Sequence, residues 1–313
     1  MKKIKLKGRH FLSLADYSTQ EIMYLLDKAK ALKQQYYKKG TKPQVLKGKT
    51  LGMIFQKPST RTRVSFEVAM YHLGGHALFL SSADMQLKRG ETIADTARVL
   101  SRYVDGVIAR VFAHQDVVDM AKYASIPVIN ALSDYSHPCQ GLADLFSILE
   151  KTKKFKGVKI VYVGDGNNVA HSLIFGAAKV GSHIVVATPQ GYEPSKKVVN
   201  RAREDAKKTG AIIEVTNNPV EATTNADVIY TDVWASMGQE SEHEKRVAIF
   251  KPYQINKELM SHAKKNVLIM HCLPAHRGEE ITDEAVDSPN SIVFDQAENR
   301  LHAQKAILAE IMK

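Results

Sequence analysis

The chain has 313 residues, 44% hydrophobic and 25% charged, which excludes a disordered or fibrous protein and leaves room for two domains. Two cysteines, Cys139 and Cys272, exclude a disulfide framework, and no apolar stretch approaches the roughly 20 residues that span a bilayer. The net charge of +11 is interleaved with Asp and Glu rather than gathered in a basic tail. That pattern argues against nucleic acid and fits a small anionic substrate drawn in by a positive field.

The basic start gives way to a short apolar run, Phe11 to Ala15, that ends at Asp16. No export signal is read there, and a cytoplasmic location is expected. Ser18-Thr-Gln-Glu21 is a capping box, and the helix behind it runs to about Lys39, where Gly40 stops it. A strand follows at Leu51–Phe55, then a helix at Arg61–Leu73 stopped by Gly74-Gly75. Strand Ala77–Leu80, helix Thr92–Tyr103, strands Gly106–Arg110 and Val128–Ile129, and helix Gly141–Lys151 continue the alternation. The polar, basic stretch Lys151-Thr-Lys-Lys-Phe-Lys-Gly157 marks a boundary, giving domains at 1–151 and 152–295.

The second domain reads as strands Lys159–Val163, Ile184–Ala187, Ile212–Val215, Val228–Thr231, Val267–Met270 and Ile292–Phe294. Its helices are Asn168–Val180 and Ser195–Thr209, each followed by glycine. A last helix, in about 296–313, is expected to pack back on the first domain. The long stretch from Asp232 to Pro252 reads as a binding loop or lid. Repeated strand and helix, with strands apolar on both faces, defines the α/β class: two doubly wound parallel-sheet domains.

Chemistry concentrates first in Pro58-Ser-Thr-Arg-Thr-Arg63, which leaves a strand and opens a helix. Unpaired amides of a helix start, together with hydroxyls and guanidiniums, make a socket for phosphate. Gly164-Asp-Gly-Asn-Asn168 occupies a similar turn, but Val169 stands where a dinucleotide-binding motif has its third glycine. A dehydrogenase reading therefore fails. The cysteines are far apart and lack paired-ligand spacing, so a zinc site and other cofactors are not expected.

Ser59-Thr60-Arg61-Thr62-Arg63 followed by Val64-Ser-Phe-Glu67, together with Arg110 and His137-Pro-Cys-Gln140, resembles the aspartate and ornithine carbamoyltransferase family. The likeness continues through Asp232-Val-Trp-Ala-Ser236-Met237-Gly238 and His271-Cys-Leu-Pro274, which resemble the ornithine-specific members. It implies an active-site cleft between the two domains. It implies that Ser59, Thr60, Arg61 and Thr62 hold the phosphate of carbamoyl phosphate. Arg110 and His137 would stabilise the developing oxyanion, and Gln140, Leu273 and Arg300 would complete the carbamoyl site. Gln86 would reach a neighbouring subunit's site in a homotrimer or an assembly of trimers. Asn168, Asp232, Ser236 and Met237 would bind ornithine, with Cys272 beside the reacting amine. Asp232 and Cys272 both remain candidates for deprotonating that amine. Aspartate, putrescine and acetylornithine are the rival acceptors within the family, and a non-catalytic phosphate-binding relative is the rival outside it.

Overall fold

The structure, a computed structural model, describes residues 4–86, 90–235 and 240–313, without the side chains of Lys39 and Glu240. The chain folds as two compact units, Met1–Phe146 with Glu298–Lys313, and Ser147–Ala297.

The first unit begins with α1 (Thr19–Lys39), whose N-terminus carries the full capping box: Ser18 and Glu21 each satisfy the other's backbone amide. Gly40 ends it in the left-handed conformation, φ 61°. Then come β1 (Thr50–Phe55), α2 (Thr60–Leu73), β2 (His76–Ser81), α3 (Ile93–Tyr103) and β3 (Gly106–Arg110). α4 (His114–Tyr123), β4 (Val128–Leu132) and α5 (Pro138–Thr152) complete the alternation. The four strands are parallel, in the order β2-β1-β3-β4. Ile54, Val107, Ala109, Val117 and Val128 form part of its core. β2 differs from the expected doubly buried strand: it lies at the sheet edge and leaves Leu78 and Phe79 exposed.

The second unit contains β5 (Lys159–Val163), α6 (Asn168–Val180), β6 (His183–Ala187), α7 (Lys196–Thr209) and β7 (Ile212–Thr216). α8 (Pro219–Thr223), β8 (Val228–Thr231), α9 (His243–Phe250), α10 (Lys257–Ser261), β9 (Leu268–His271) and α11 (Asp283–Val286) follow. Its five strands are also parallel, ordered β7-β6-β5-β8-β9. Val161, Val163, Ile229, Ile269 and Ile255 are buried at its centre.

Two expectations are corrected. Ile292–Phe294 is not a strand. Ile292 precedes α12 (Val293–Ile311), and pairing beside it amounts to one isolated bridge, Ile269 to Ser291. A run of three apolar residues carries no period, so strand and helix look alike until exposure separates them. Val293 is buried while Phe294 is 67% exposed, as the two sides of a helix should be. The stretch from Asp232 to Pro252 is also more regular than expected, because α9 occupies residues 243–250. From Glu298 onward α12 belongs to the first unit, where Glu310 accepts from Tyr24 Oη at 2.8 Å and pairs with Lys28 at 2.9 Å.

Candidate active site

In both sheets the chain runs from a central strand to one edge and then returns to the other side. That creates a switch point between β1 and β3 in the first unit and between β5 and β8 in the second. Ligands of open parallel sheets bind beyond the carboxyl ends of the strands at such points. The residues singled out in the sequence fall there: the α2 start and Arg110 in one unit, the α6 start and Asp232 in the other.

In the first unit Ser59 caps α2, its Oγ accepting from Thr62 N at 3.3 Å. Thr60 is exposed, Ser59 and Arg61 are half-buried, and Thr62 is fully buried. The first-turn amides have no partners within the helix, so positive partial charge gathers at this end. Arg300 on α12 donates from Nη1 to Gln140 Oε1 at 2.7 Å and from Nη2 to Thr62 Oγ1 at 3.2 Å. Gln140 in turn donates to Asp144 Oδ1 at 2.8 Å. These links fix the Gln140 amide with its oxygen toward Arg300. Arg110 ends β3 nearly buried, where the pairing with β4 shifts by one residue. Burial, and then the charges of Arg300 and Arg110, hold His137 well below the usual imidazole range. Both effects favour the neutral imidazole, whose N–H can donate a hydrogen bond without carrying charge.

The neighbouring residues have other work. Arg63 pairs with Glu67 one turn along and lies 3.8 Å above the Phe79 ring. Burial pushes the Cys139 thiol up to about 12, which leaves it inert. Gln86 is exposed in the segment after β2, and its carbonyl accepts from Glu91 N.

In the second unit Asp232 follows β8 and is only 7% exposed. Its Oδ2 accepts from Asn167 Nδ2 at 2.9 Å. Its Oδ1 accepts from Val233 N at 2.8 Å and from the Cys272 thiol at 2.9 Å. Asn167 is held by its own cap, accepting from Val169 and Ala170 amides through Oδ1. Asn168, the expected ligand, is half-buried at the first position of α6. Ser236 and Met237 lie outside the described residues.

Cys272 and Leu273 belong to this second unit. Leu273 has φ 57°, a left-handed conformation uncommon for a branched side chain. It is pinned by donation from its amide to His271 Nδ1 at 2.8 Å. That bond places the His271 proton on Nε2, which donates to Glu280 Oε1 at 2.9 Å. The buried His271–Glu280 pair thus orients the turn carrying Cys272.

Sequence reasoning gave no role to Asp165, Arg246 or the His271–Glu280 pair, and did not single out Asn167 as the partner of Asp232. Arg246 donates to Asp165 Oδ2 at 3.1 Å, to the Trp234 carbonyl at 2.9 Å and to Glu242 at 3.0 Å. Burial raises the Asp165 carboxyl to about 6; Arg246 opposes that rise and the nearby Asp232 charge adds to it. The Asp-Gly-Asn-Asn run pointed to Asp165 and Asn167, but their partners are far along the sequence.

The first cluster is a set of donors suited to an anion and a developing oxyanion. The second is an acidic acceptor suited to an ammonium group. Two family models match the chain accordingly. Residues 9–150 match the aspartate/ornithine carbamoyltransferase, carbamoyl-P binding domain, and residues 156–311 match the aspartate/ornithine carbamoyltransferase, Asp/Orn binding domain. The chain belongs to the aspartate/ornithine carbamoyltransferase family. It is 63% identical to the ornithine carbamoyltransferase of Pyrococcus horikoshii over 309 residues, covering 99% of this chain and 97% of that one. It is equally similar to the anabolic ornithine carbamoyltransferase of Pyrococcus furiosus, at 63% identity over 99% of this chain and 98% of that one. Among solved structures, ornithine carbamoyltransferase from Pyrococcus furiosus superposes with a TM-score of 0.96 at 62% identity, covering 99% of each chain. The enzyme from Gloeobacter violaceus gives 0.88 at 47% identity, covering 99% of this chain and 100% of the other.

Proposed function

We infer that this chain is an ornithine carbamoyltransferase, transferring the carbamoyl group of carbamoyl phosphate to the δ-amine of L-ornithine to give L-citrulline and phosphate. The observation that carries the reading is chemical contrast between the two switch points: buried guanidiniums and hydroxyls at one, a buried carboxylate with amide and thiol partners at the other.

Ser59, Thr60, Arg61 and Thr62 hold the phosphate through side chains and first-turn amides. Arg110, His137 and Thr62 donate to the carbonyl oxygen as the amine attacks and charge builds there. Gln140 accepts from the carbamoyl NH₂ with the lone pair that Arg300 leaves, and Arg300 itself closes this side of the carbamoyl site. Leu273 offers its carbonyl. Asn168, Asp232, Ser236 and Met237 bind the amino acid end of ornithine, and Asn167, which donates to Asp232 Oδ2, orients that carboxylate. An alkylamine with a pKa near 10 must lose its proton at pH 7, which costs about 4–5 kcal/mol. Asp232 and Cys272 stand together as the groups available to accept and orient that proton.

The positive field of a +11 chain favours the dianionic substrate. The anabolic relative supports a role in arginine synthesis. A homotrimer would cover the exposed β2 edge, where Leu78 and Phe79 lie, and would bring Gln86 to a neighbouring site. No described helix is long and apolar enough to cross a membrane.

The test is an acceptor profile with carbamoyl phosphate held saturating. Citrulline should form from ornithine at least about a hundredfold faster than product forms from aspartate, putrescine or acetylornithine, as for a site built on buried polar pairs. Preference for any of those three, or phosphate binding with no transfer, would overturn the reading.

A further inference from the structure

Away from the residues assigned to the two substrates, two histidines and two glutamates of the second unit converge. His243 is the first residue of α9, and His276, Glu279 and Glu280 lie in the turn after β9. The Glu279 carboxylate sits between two imidazoles, 3.3 Å from His243 Nε2 through one oxygen and 3.6 Å from His276 Nδ1 through the other. The two rings meet edge to face with centroids 6.3 Å apart. Ligand atoms of His276, Glu279 and Glu280 all fall within 4.8 Å of one another. Both nitrogen–oxygen spacings exceed a good hydrogen bond. The first equals the separation of two ligands on one tetrahedral ion, about 3.3–3.4 Å for bonds of about 2.0–2.1 Å, and the second is slightly wider.

A second observation comes from Glu280, which is fully buried. Its Oε1 accepts from His271 Nε2 at 2.9 Å and from His276 N at 2.6 Å. Its Oε2 is buried and has no hydrogen-bond partner among the described residues. A buried carboxylate oxygen without a donor is costly, and a cation beside it removes that cost.

We propose that His276, Glu279 and Glu280 form a binding site for a first-row divalent transition ion of the zinc, cobalt or nickel class, with His243 beside it, 3.3 Å from the Glu279 carboxylate. An imidazole and two carboxylates suit such ions, whereas calcium and magnesium take oxygen ligands almost exclusively. The side chains of His243, His276 and Glu279 are between 31% and 45% exposed, so an ion enters from solvent. Once bound, it fixes Glu279 and, through the Glu279–His243 pair, ties the first turn of α9 to the turn after Cys272 and Leu273. It acts as a staple on the ornithine half and takes no part in the chemistry.

A rival cluster lies close by: Asp232, His271 and Cys272 also bring ligand atoms within 4.8 Å of one another. Cobalt(II) separates the two, because only the rival contains sulfur. The metal-stripped, full-length protein is titrated with cobalt(II) and its absorption recorded. The proposal expects one equivalent with ligand-field bands, no thiolate charge-transfer band and a raised melting temperature. The double variant His243→Ala/His276→Ala should bind at least about tenfold more weakly while still transferring carbamoyl groups. Cys272→Ser should bind as the parent does. A thiolate band lost in Cys272→Ser, unchanged binding in the double variant, or no binding by the parent at tenfold excess of cobalt would each overturn the proposal.

Discussion

Asp232 accepts from Asn167, from the Val233 amide and from the Cys272 thiol, three donors brought from three places in the chain. In the proposed reaction, removing the carboxylate would deprive the ornithine ammonium of its counter-charge and leave the α2 start untouched. Asp232→Ala should therefore raise the ornithine KM by at least about tenfold, the 1.5–3 kcal/mol scale of a hydrogen bond to a charged group. Carbamoyl phosphate binding, followed by calorimetry, should stay within about twofold; selective loss of that substrate would reverse the two halves. Lys305 makes a separate case. It is fully buried on α12, its Nζ lies 5.3 Å from the Tyr36 ring centre, and it has no hydrogen-bond partner among the described residues. Burial lowers its pKa to about 8. Below that pH the folded protein holds a buried ammonium; between about 8 and the unfolded value near 10.4 it is neutral while the unfolded chain stays charged. Its contribution therefore makes the fold more stable as pH rises across that window. Lys305→Met should stabilise the protein by about 2 kcal/mol at pH 7, with the gain vanishing toward pH 10. Urea denaturation at the two pH values measures both. At this scale the sequence revealed residue types but not pairings. It singled out Asp232, Cys272, Thr62 and Arg300 through their motifs without pairing Cys272 to Asp232 or Arg300 to Thr62, and two adjacent asparagines look alike until α6 turns Asn167 toward Asp232. The Arg246–Asp165 pair spans 81 positions and has no local signature.

Helix starts were the elements most visible in the sequence, because capping is local chemistry. Ser18, Ser59, Thr92 and Asn167 each bond the amides of the helix they precede. The failures, at Ile292–Phe294 and across 243–250, occur where short apolar runs or mixed charge carry no clear period. The turn between β5 and α6 makes the strongest demand on a single position. A Cβ at Gly166 would come within 2.2 Å of Pro194 N and 2.5 Å of Glu193 C, both backbone atoms that cannot swing aside. Gly166→Ala should cost about 2 kcal/mol or more, read from the denaturation midpoint, and should raise the ornithine KM by displacing Asn167. A variant as stable and active as the parent would show that this turn adapts freely.

At the level of the whole molecule, charge is the property the sequence states outright. A field from a net charge of +11 is screened over about 8–10 Å at physiological salt. The kcat/KM for carbamoyl phosphate should fall several-fold between 20 mM and 500 mM salt, while kcat stays nearly constant. A flat response would remove steering as the reason for the charge. Domain class was equally legible, since strands buried on both faces have no polar alternation to conceal them. The position of β2 at an edge was not, because an exposed apolar strand and a buried one share a composition.

The division of the first unit into two separated segments has a consequence for how the protein is made. Chains emerge from the ribosome at about 5–20 residues per second, amino end first. The second unit, residues 147–297, is contiguous and is complete before the first can be. The first waits for Glu298–Lys313, which supply buried Ile307 and Leu308 and the guanidinium that bridges Thr62 and Gln140. A nascent chain cut short anywhere before Arg300 lacks that bridge, so these three side chains come together only after translation has passed Arg300.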